Sequence, residues 1–313
     1  MALHFRHAEP QDLPRCVDLM RAWGRLDYPE ALLDRLPRFW LPLVHGYHHT
    51  LHVLVDDSAA EHPVRGVASG VFVERDFITA EIAAPTAGLS RRIIELALEG
   101  RSPLATRASL AAAQGDGGVH AVGVDFALEN DNFANPLTLR WLPPMLASAR
   151  DWLGGWRVHS FHREIAGRDL YALARTSGMR SVRLPVPSDT QSGARPRPRY
   201  LVGGTRSEAD SSVGSTMWWF FQAGNAQFRF GAGEQDLLVL ALRGFTDARI
   251  AERLGISPHT VTMRWRSILE HASESRPDLF PPHEPGTPRG AERRSALLAY
   301  LRQHMQEVRP QGR

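Results

Sequence analysis

The chain has 313 residues, 43% of them hydrophobic, which is enough for two domains with full cores. Its single cysteine, Cys16, excludes a disulfide framework or a cysteine-built zinc cluster and points to a reducing cytoplasm. The net charge is +3 and all 37 basic residues are arginine, so every cation is a permanently charged fork and no broad basic field is present to hold nucleic acid without specificity.

Apolar runs fall short of a membrane span and the opening Met-Ala-Leu-His-Phe-Arg is strand-like rather than a signal peptide, so a soluble cytoplasmic protein is expected. Residues 1–185 read as one α/β domain. Strands are predicted over 3–6, 51–55, 65–73, 119–128, 158–164 and 179–184, and helices over 9–23, 88–98, 137–153 and 167–177. Strands alternating with helices predict a mixed sheet covered by helices. The run Gln114-Gly115-Asp116-Gly117-Gly118 reads as a hairpin or loop, because no helix start follows it to make a phosphate cradle.

Residues 186–230 are predicted to be a linker. Pro185, Pro187, Pro196 and Pro198 stand among Ser, Gly and Arg, and 203–215 is again rich in Gly and Ser, a composition that cannot bury enough apolar surface to fold alone. Met217-Trp218-Trp219-Phe220-Phe221 is the exception, since four adjacent aromatics need a buried surface to dock on.

The informative stretch is 234–272, where three short apolar-striped helices are joined by tight turns. Leu237, Leu238 and Leu240 mark the first helix, Ile250, Ala251 and Leu254 the second, and Val261, Trp265, Ile268 and Leu269 the buried stripe of the third. Gly244 and Gly255 stand where a helix end needs positive φ, Ser257 where the next needs a side-chain cap, and Pro258 at the first helical position. This pattern predicts a helix-turn-helix whose last helix offers His259, Thr262, Met263 and Arg266, with Arg264 at the edge, to phosphates and base edges. A proline-rich loop over 277–288 and a long helix over 290–308 follow. In that helix Leu297, Leu298, Leu301 and Met305 should pack on the helix-turn-helix or build a dimer interface, while Arg293 and Arg294 add phosphate contacts.

The run Leu-Arg-Gly-Phe-Thr-Asp-Ala-Arg-Ile-Ala-Glu-Arg-Leu-Gly-Ile-Ser-Pro-His-Thr-Val over 242–261 resembles the C-terminal DNA-binding domain of LuxR-type transcriptional regulators, with Glu234 ahead of Leu237-Leu238 and Ile268 also matching. The resemblance implies DNA contacts from Thr262, Met263 and Arg266, with Ser257 and Thr260 at the phosphate-facing helix start. Thr262 departs from the lysine usual in the family. The opening over 5–13 and the stretch 170–179 resemble parts of the GNAT acetyltransferase fold. That fold requires a Gln/Arg-x-x-Gly-x-Gly/Ala turn for the coenzyme A pyrophosphate. The nearest segment, 84–91, supplies Gly88 alone, which implies a degenerate domain kept as a sensor or dimerisation platform.

His45, His48, His49 and His52 would share a face only if helical, and the surrounding residues predict a loop entering a strand instead, so no metal is expected there. Asp125, Glu129, Asp131 and Asp151 supply carboxylates with no base or nucleophile at a defined spacing. The expected protein is therefore α+β, with an N-terminal mixed α/β sheet domain and, over 231–313, an all-α helix-turn-helix domain. Its expected role is that of a homodimeric bacterial transcriptional regulator that binds double-stranded DNA and answers an unknown small-molecule effector. Neither enzymatic activity nor a cofactor or membrane role is expected, and the alternative is an acetyltransferase-like enzyme fused to a DNA-binding module.

Overall fold

Alternating apolar residues in the first two thirds of the chain build one seven-stranded sheet in the computed structural model, which describes residues 3–59, 62–130, 133, 135–185, 197–222, 224–280 and 289–310. Two units result. The first holds Met1–Leu110, Gly117–Leu153 and Arg157–Gln222, and the second Ala223–Arg313 with Ala111–Asp116 and Gly154–Trp156.

In chain order the first unit begins with β1 (Leu3–His7), α1 (Leu13–Trp23), α2 (Glu30–Leu33), α3 (Leu36–His45), β2 (Thr50–Asp56) and β3 (Val64–Val73). Next come α4 (Arg75–Ala83), α5 (Leu89–Leu98), α6 (Arg107–Gly115, whose residues from Ala111 on belong to the second unit), β4 (Val119–Leu128), α7 (Pro136–Leu139), α8 (Leu142–Leu153) and β5 (Val158–Ala166). Then follow α9 (Arg168–Thr176), β6 (Arg180–Arg183), β7 (Arg199–Thr205), α10 (Arg206–Asp210) and α11 (Thr216–Phe220). The sheet order is β1-β2-β3-β4-β5-β7-β6, antiparallel throughout except for the parallel pair β4 and β5. A parallel pair needs a crossover, which the chain over α7 and α8 supplies. All ten residues of β4 are buried, as a central strand covered on both faces requires.

β4 and β5 stay paired only from Val119↔Val158 to Gly123↔Arg163. Beyond that point β4 continues against β3 as far as Leu128↔Gly66, and β5 continues against β7 as far as Ala166↔Arg199. The sheet therefore opens between its two central strands.

Several features depart from the sequence expectations. Over its described residues the expected linker is not a linker: Arg199–Thr205 is a strand seated between β5 and β6. Its glycines serve close packing rather than flexibility, since a Cβ on Gly203 would lie 2.0 Å from the Phe161 carbonyl oxygen. Residues 186–196 lie outside the described set. The unpredicted α3 holds Pro37 in its first turn and Pro42 inside, yet Leu36, Phe39, Trp40, Leu43 and Val44 recur at helical spacing and are buried. Finally, α6 continues through Gln114 and Gly115, so the expected loop begins only at Asp116. In the aromatic segment Met217, Phe220 and Phe221 are buried, with Phe220 edge-on to Phe161 of β5 at 5.6 Å.

The second unit is helical: α12 (Ala232–Leu242), α13 (Asp247–Leu254), α14 (Pro258–Ser275) and α15 (Arg289–Gln303), with 3-10 turns at Pro277–Leu279 and Met305–Val308. Within α12, Gln235 and the run from Leu237 to Ala241 are all buried, the mark of a helix enclosed by neighbours. The last helix is shorter than expected and stops at Gln303, before the turn at Met305–Val308. Its Leu297 and Leu301 are fully buried against α12 and α14. Buried Glu307 accepts the backbone N–H groups of Gln227 and Phe228 at 2.8 Å, fixing the segment that leads into α12. Of the expected proline-rich loop, 281–288 lies outside the described residues. The whole is α+β, as expected.

Candidate nucleic-acid interface

The turn between α13 and α14 is built from its sequence upward. Gly255 ends α13 at φ 63°, a conformation that favours glycine, and Ile256 N–H returns to the Ala251 carbonyl. Ser257 then caps α14, its Oγ accepting the Thr260 N–H at 3.1 Å, and Pro258 occupies the first helical position. Val261, Trp265, Ile268, Leu269 and Ala272 form the buried stripe.

Three polar contacts fix the rotation of α14 about its axis. Trp265 Nε1 donates to Asp247 Oδ1 at 3.0 Å, and Arg294 of α15 donates to the other oxygen of Asp247 at 2.8 Å while lying over the Trp265 ring at 4.6 Å. Glu234 accepts from the Ser267 hydroxyl and the Gly231 N–H, both at 2.9 Å. The Arg264 guanidinium donates to the Gly233 carbonyl at 3.3 Å. With three points held, the opposite face of α14 is set before any partner arrives, which lowers the ordering cost of binding.

That face carries most of the expected residues and loses one. His259, Thr262, Met263 and Arg266 are exposed along α14, with Ser257 and Thr260 at its start, their hydroxyls 2.9 Å apart. Arg264 is the correction: it is half-buried and committed to Gly233, where the missing side chain leaves it room. Arg293 and Arg294 are likewise turned inward, Arg293 onto the Leu269 carbonyl and the Phe280 ring, Arg294 onto Asp247 and Trp265. Arg266 pairs with Glu270 one turn on, at 3.0 Å, an exposed pair of small stabilising value that a phosphate can displace.

The first unit holds a second polar constellation, centred on Asp125. This fully buried carboxylate accepts from Ser69 Oγ at 2.7 Å, Trp40 Nε1 at 2.8 Å and Tyr28 Oη at 3.0 Å. Burial raises the Asp125 pKa against the pull of those donors, and burial with the nearby Asp125 charge holds Tyr28 protonated. Arg163 donates to the Asp125 carbonyl at 3.1 Å and lies over the Phe126 ring at 4.7 Å, and burial lowers its pKa to about 10. Ser90 donates to the Val124 carbonyl at 2.8 Å, so side chains cap two carbonyls in the stretch where β4 and β5 part. At Gly88, the nearest approach to a phosphate-binding turn, the amide is taken by Glu164 Oε2 at 2.8 Å, and Glu164 also pairs with Arg199 at 3.0 Å. Asp125, one of the four candidate carboxylates, is the one carboxylate inside β4, a strand otherwise apolar apart from His120.

The histidines do not gather. His45 ends α3, His49 Nδ1 accepts the Phe72 N–H at 3.1 Å, and His52 lies 2.7 Å from Ser148 Oγ. Among the described residues no group of three His, Cys, Asp or Glu could hold a metal ion. Glu129 pairs with Arg15 and Arg65, and Asp131 lies outside the described residues. No described helix is long and apolar enough to cross a membrane.

Residues 235–275 match a helix-turn-helix family described as Homeodomain-like domain. No curated protein matches the chain. Solved structures similar to it include an acetyltransferase of the GNAT family from Streptococcus pneumoniae, 11% identical, covering 65% of this chain and 99% of its own, with a TM-score of 0.37. NAA60 of Arabidopsis thaliana in complex with acetyl-CoA is 13% identical, covering 66% and 99%, with a TM-score of 0.40. A GNAT superfamily phosphinothricin acetyltransferase from Sinorhizobium meliloti is 14% identical, covering 66% and 89%, with a TM-score of 0.37. Two of these three are named as acetyltransferases, and the expectation that the chain is not an enzyme is withdrawn.

Proposed function

We propose that the chain is a LuxR-type transcriptional regulator: a homodimer whose α14 enters the major groove while the N-terminal unit senses a small-molecule effector or mediates dimerisation. The observation that carries this reading is the capped turn into α14, a helix locked by Asp247, Glu234 and Gly233 with His259, Thr262, Met263 and Arg266 exposed on its outer face. Recognition helices present their N-terminal residues to base edges, and a symmetric dimer places two of them about 34 Å apart, so the reading implies an inverted-repeat operator.

The experiment is a titration of the full chain against duplexes at stepped salt. Affinity should fall steeply with salt, and Arg266→Ala should reduce the salt slope by about 1. Equal, negligible binding of every duplex by wild type and Arg266→Ala at low salt would sink the regulator reading.

A second reading, acetyl transfer by the N-terminal unit, is favoured by the parting of β4 and β5. The Val124 and Asp125 carbonyls there accept from the Ser90 and Arg163 side chains, which a ligand rich in amides could replace. A phosphate finds no cradle at Gly88, where Glu164 takes the amide. Calorimetry of the full chain with acetyl coenzyme A tests this, and absence of heat at millimolar ligand removes it.

A further inference from the structure

The outer face of α14 is unusual for a DNA reader in what it leaves available. One N–H of the half-buried Arg264 is held by the Gly233 carbonyl, and Arg266 is tethered to Glu270. Exposed Glu270 and Glu274 repel phosphates from the C-terminal half, so approach is confined to the turns from Ser257 to Arg266. Asn and Gln, which read adenine, and Asp and Glu, which read cytosine, do not occur between Ser257 and Arg266. Thr262 Oγ1 donates to the Pro258 carbonyl at 3.1 Å, which spends its proton inside the helix and leaves its methyl group for a partner. Beside it Met263, an unbranched apolar side chain, is 47% exposed at the middle of the face.

The C5-methyl of thymine is the apolar feature of the major-groove edges. Resting on the regulator reading, we infer that this protein selects its operator through thymine methyl groups, contacted by Met263 with the Thr262 methyl beside it. Arg266 then serves the backbone or a neighbouring guanine once DNA displaces Glu270.

The test uses the full chain to enrich duplexes from a random library, then replaces each dT of the enriched site by deoxyuridine, which removes only the methyl. Wild type should bind about fourfold more weakly to the duplex changed at the contacted position, the effect of one buried methyl. Met263→Ala should bind the dT and deoxyuridine duplexes equally, and Met263→Leu should restore discrimination; thermal unfolding of both variants should match wild type because the side chain is exposed. Salt-dependent binding with no difference between dT and deoxyuridine, or a difference that survives in Met263→Ala, overturns the methyl readout and leaves the regulator reading standing. Absence of salt-dependent binding to any duplex overturns both.

Discussion

Two aspartates in this protein accept an indole N–H, under opposite conditions. Asp125 is fully buried and held by neutral donors, Trp40, Tyr28 and Ser69. Asp247 has a side chain 44% exposed, and it holds Trp265 on one oxygen and the Arg294 guanidinium on the other. In the sheet unit, burial of the carboxyl outweighs its hydrogen bonds and the nearby Arg163 charge, and its pKa is raised. In the helical unit water and a cation share the carboxylate, so the same side chain works as an adjustable clasp. The first arrangement specifies a core, and the second orients a surface helix.

The comparison can be broken most forcefully at Trp265. Trp265→Ala removes the centre of the buried stripe and should cost the helical unit about 3–5 kcal/mol, read by urea unfolding. Trp265→Phe should recover most of that stability but not the orientation of α14, so its DNA affinity should stay below wild type. Equal affinity for the Phe variant and wild type would show that the Asp247 clasp orients nothing.

Acidity probes the sheet unit. Burial lowers the pKa of His162 to about 4, against 6.5 for a free imidazole. A depressed folded pKa means that the unfolded chain binds the extra proton, so this contribution is present above pH 6.5 and is lost as pH falls towards 4. The slope of stability against pH across that window should flatten in His162→Gln. Asp125 has the opposite sign. Its folded pKa is raised, so stability due to the neutral carboxyl is present at low pH and lost as pH rises through the folded pKa. Asp125→Asn should remove that loss, and an unchanged pH profile in the variant would contradict the raised Asp125 pKa.

The smallest effect belongs to Arg294. Its ring contact and ion pair sit partly in water, so Arg294→Ala should lower stability by only about 1 kcal/mol. Its effect on DNA affinity should exceed that on stability, since Asp247 would be left with the indole alone. A stability loss with unaltered affinity would make the residue a packing element only.

How much of this was legible follows from sequence distance. Asp247 and Trp265 are 18 residues apart, Gly233 and Arg264 31, and Glu234 and Ser267 33, so the helical unit is assembled from near neighbours whose stripes and caps read directly from the chain. The partners of Asp125 lie 56, 85 and 97 residues away, and no local pattern announces them. β4 has its predicted bounds because the run from Val119 to Leu128 is strand-like and apolar apart from His120 and Asp125. β7 is not legible locally, because Gly203 and Gly204 look like linker residues until β5 lies beside them. Within the candidate interface, exposure of His259, Thr262, Met263 and Arg266 follows from helical period alone, whereas the commitment of Arg264 to Gly233 depends on how α12 crosses α14.

By itself, then, the sequence determined the helices around the turn at Gly255 and Ser257, the stripe that buries Trp265 and the α+β class, because these rest on local φ preferences and on a 3.6-residue period. Tertiary structure alone decided which arginines remain for a partner, where β4 and β5 part, and that Asp125 sits among three neutral donors. Those outcomes depend on side chains brought together from distant parts of the chain, where a hydrogen bond to one carbonyl or ring decides whether a charge faces inward or outward.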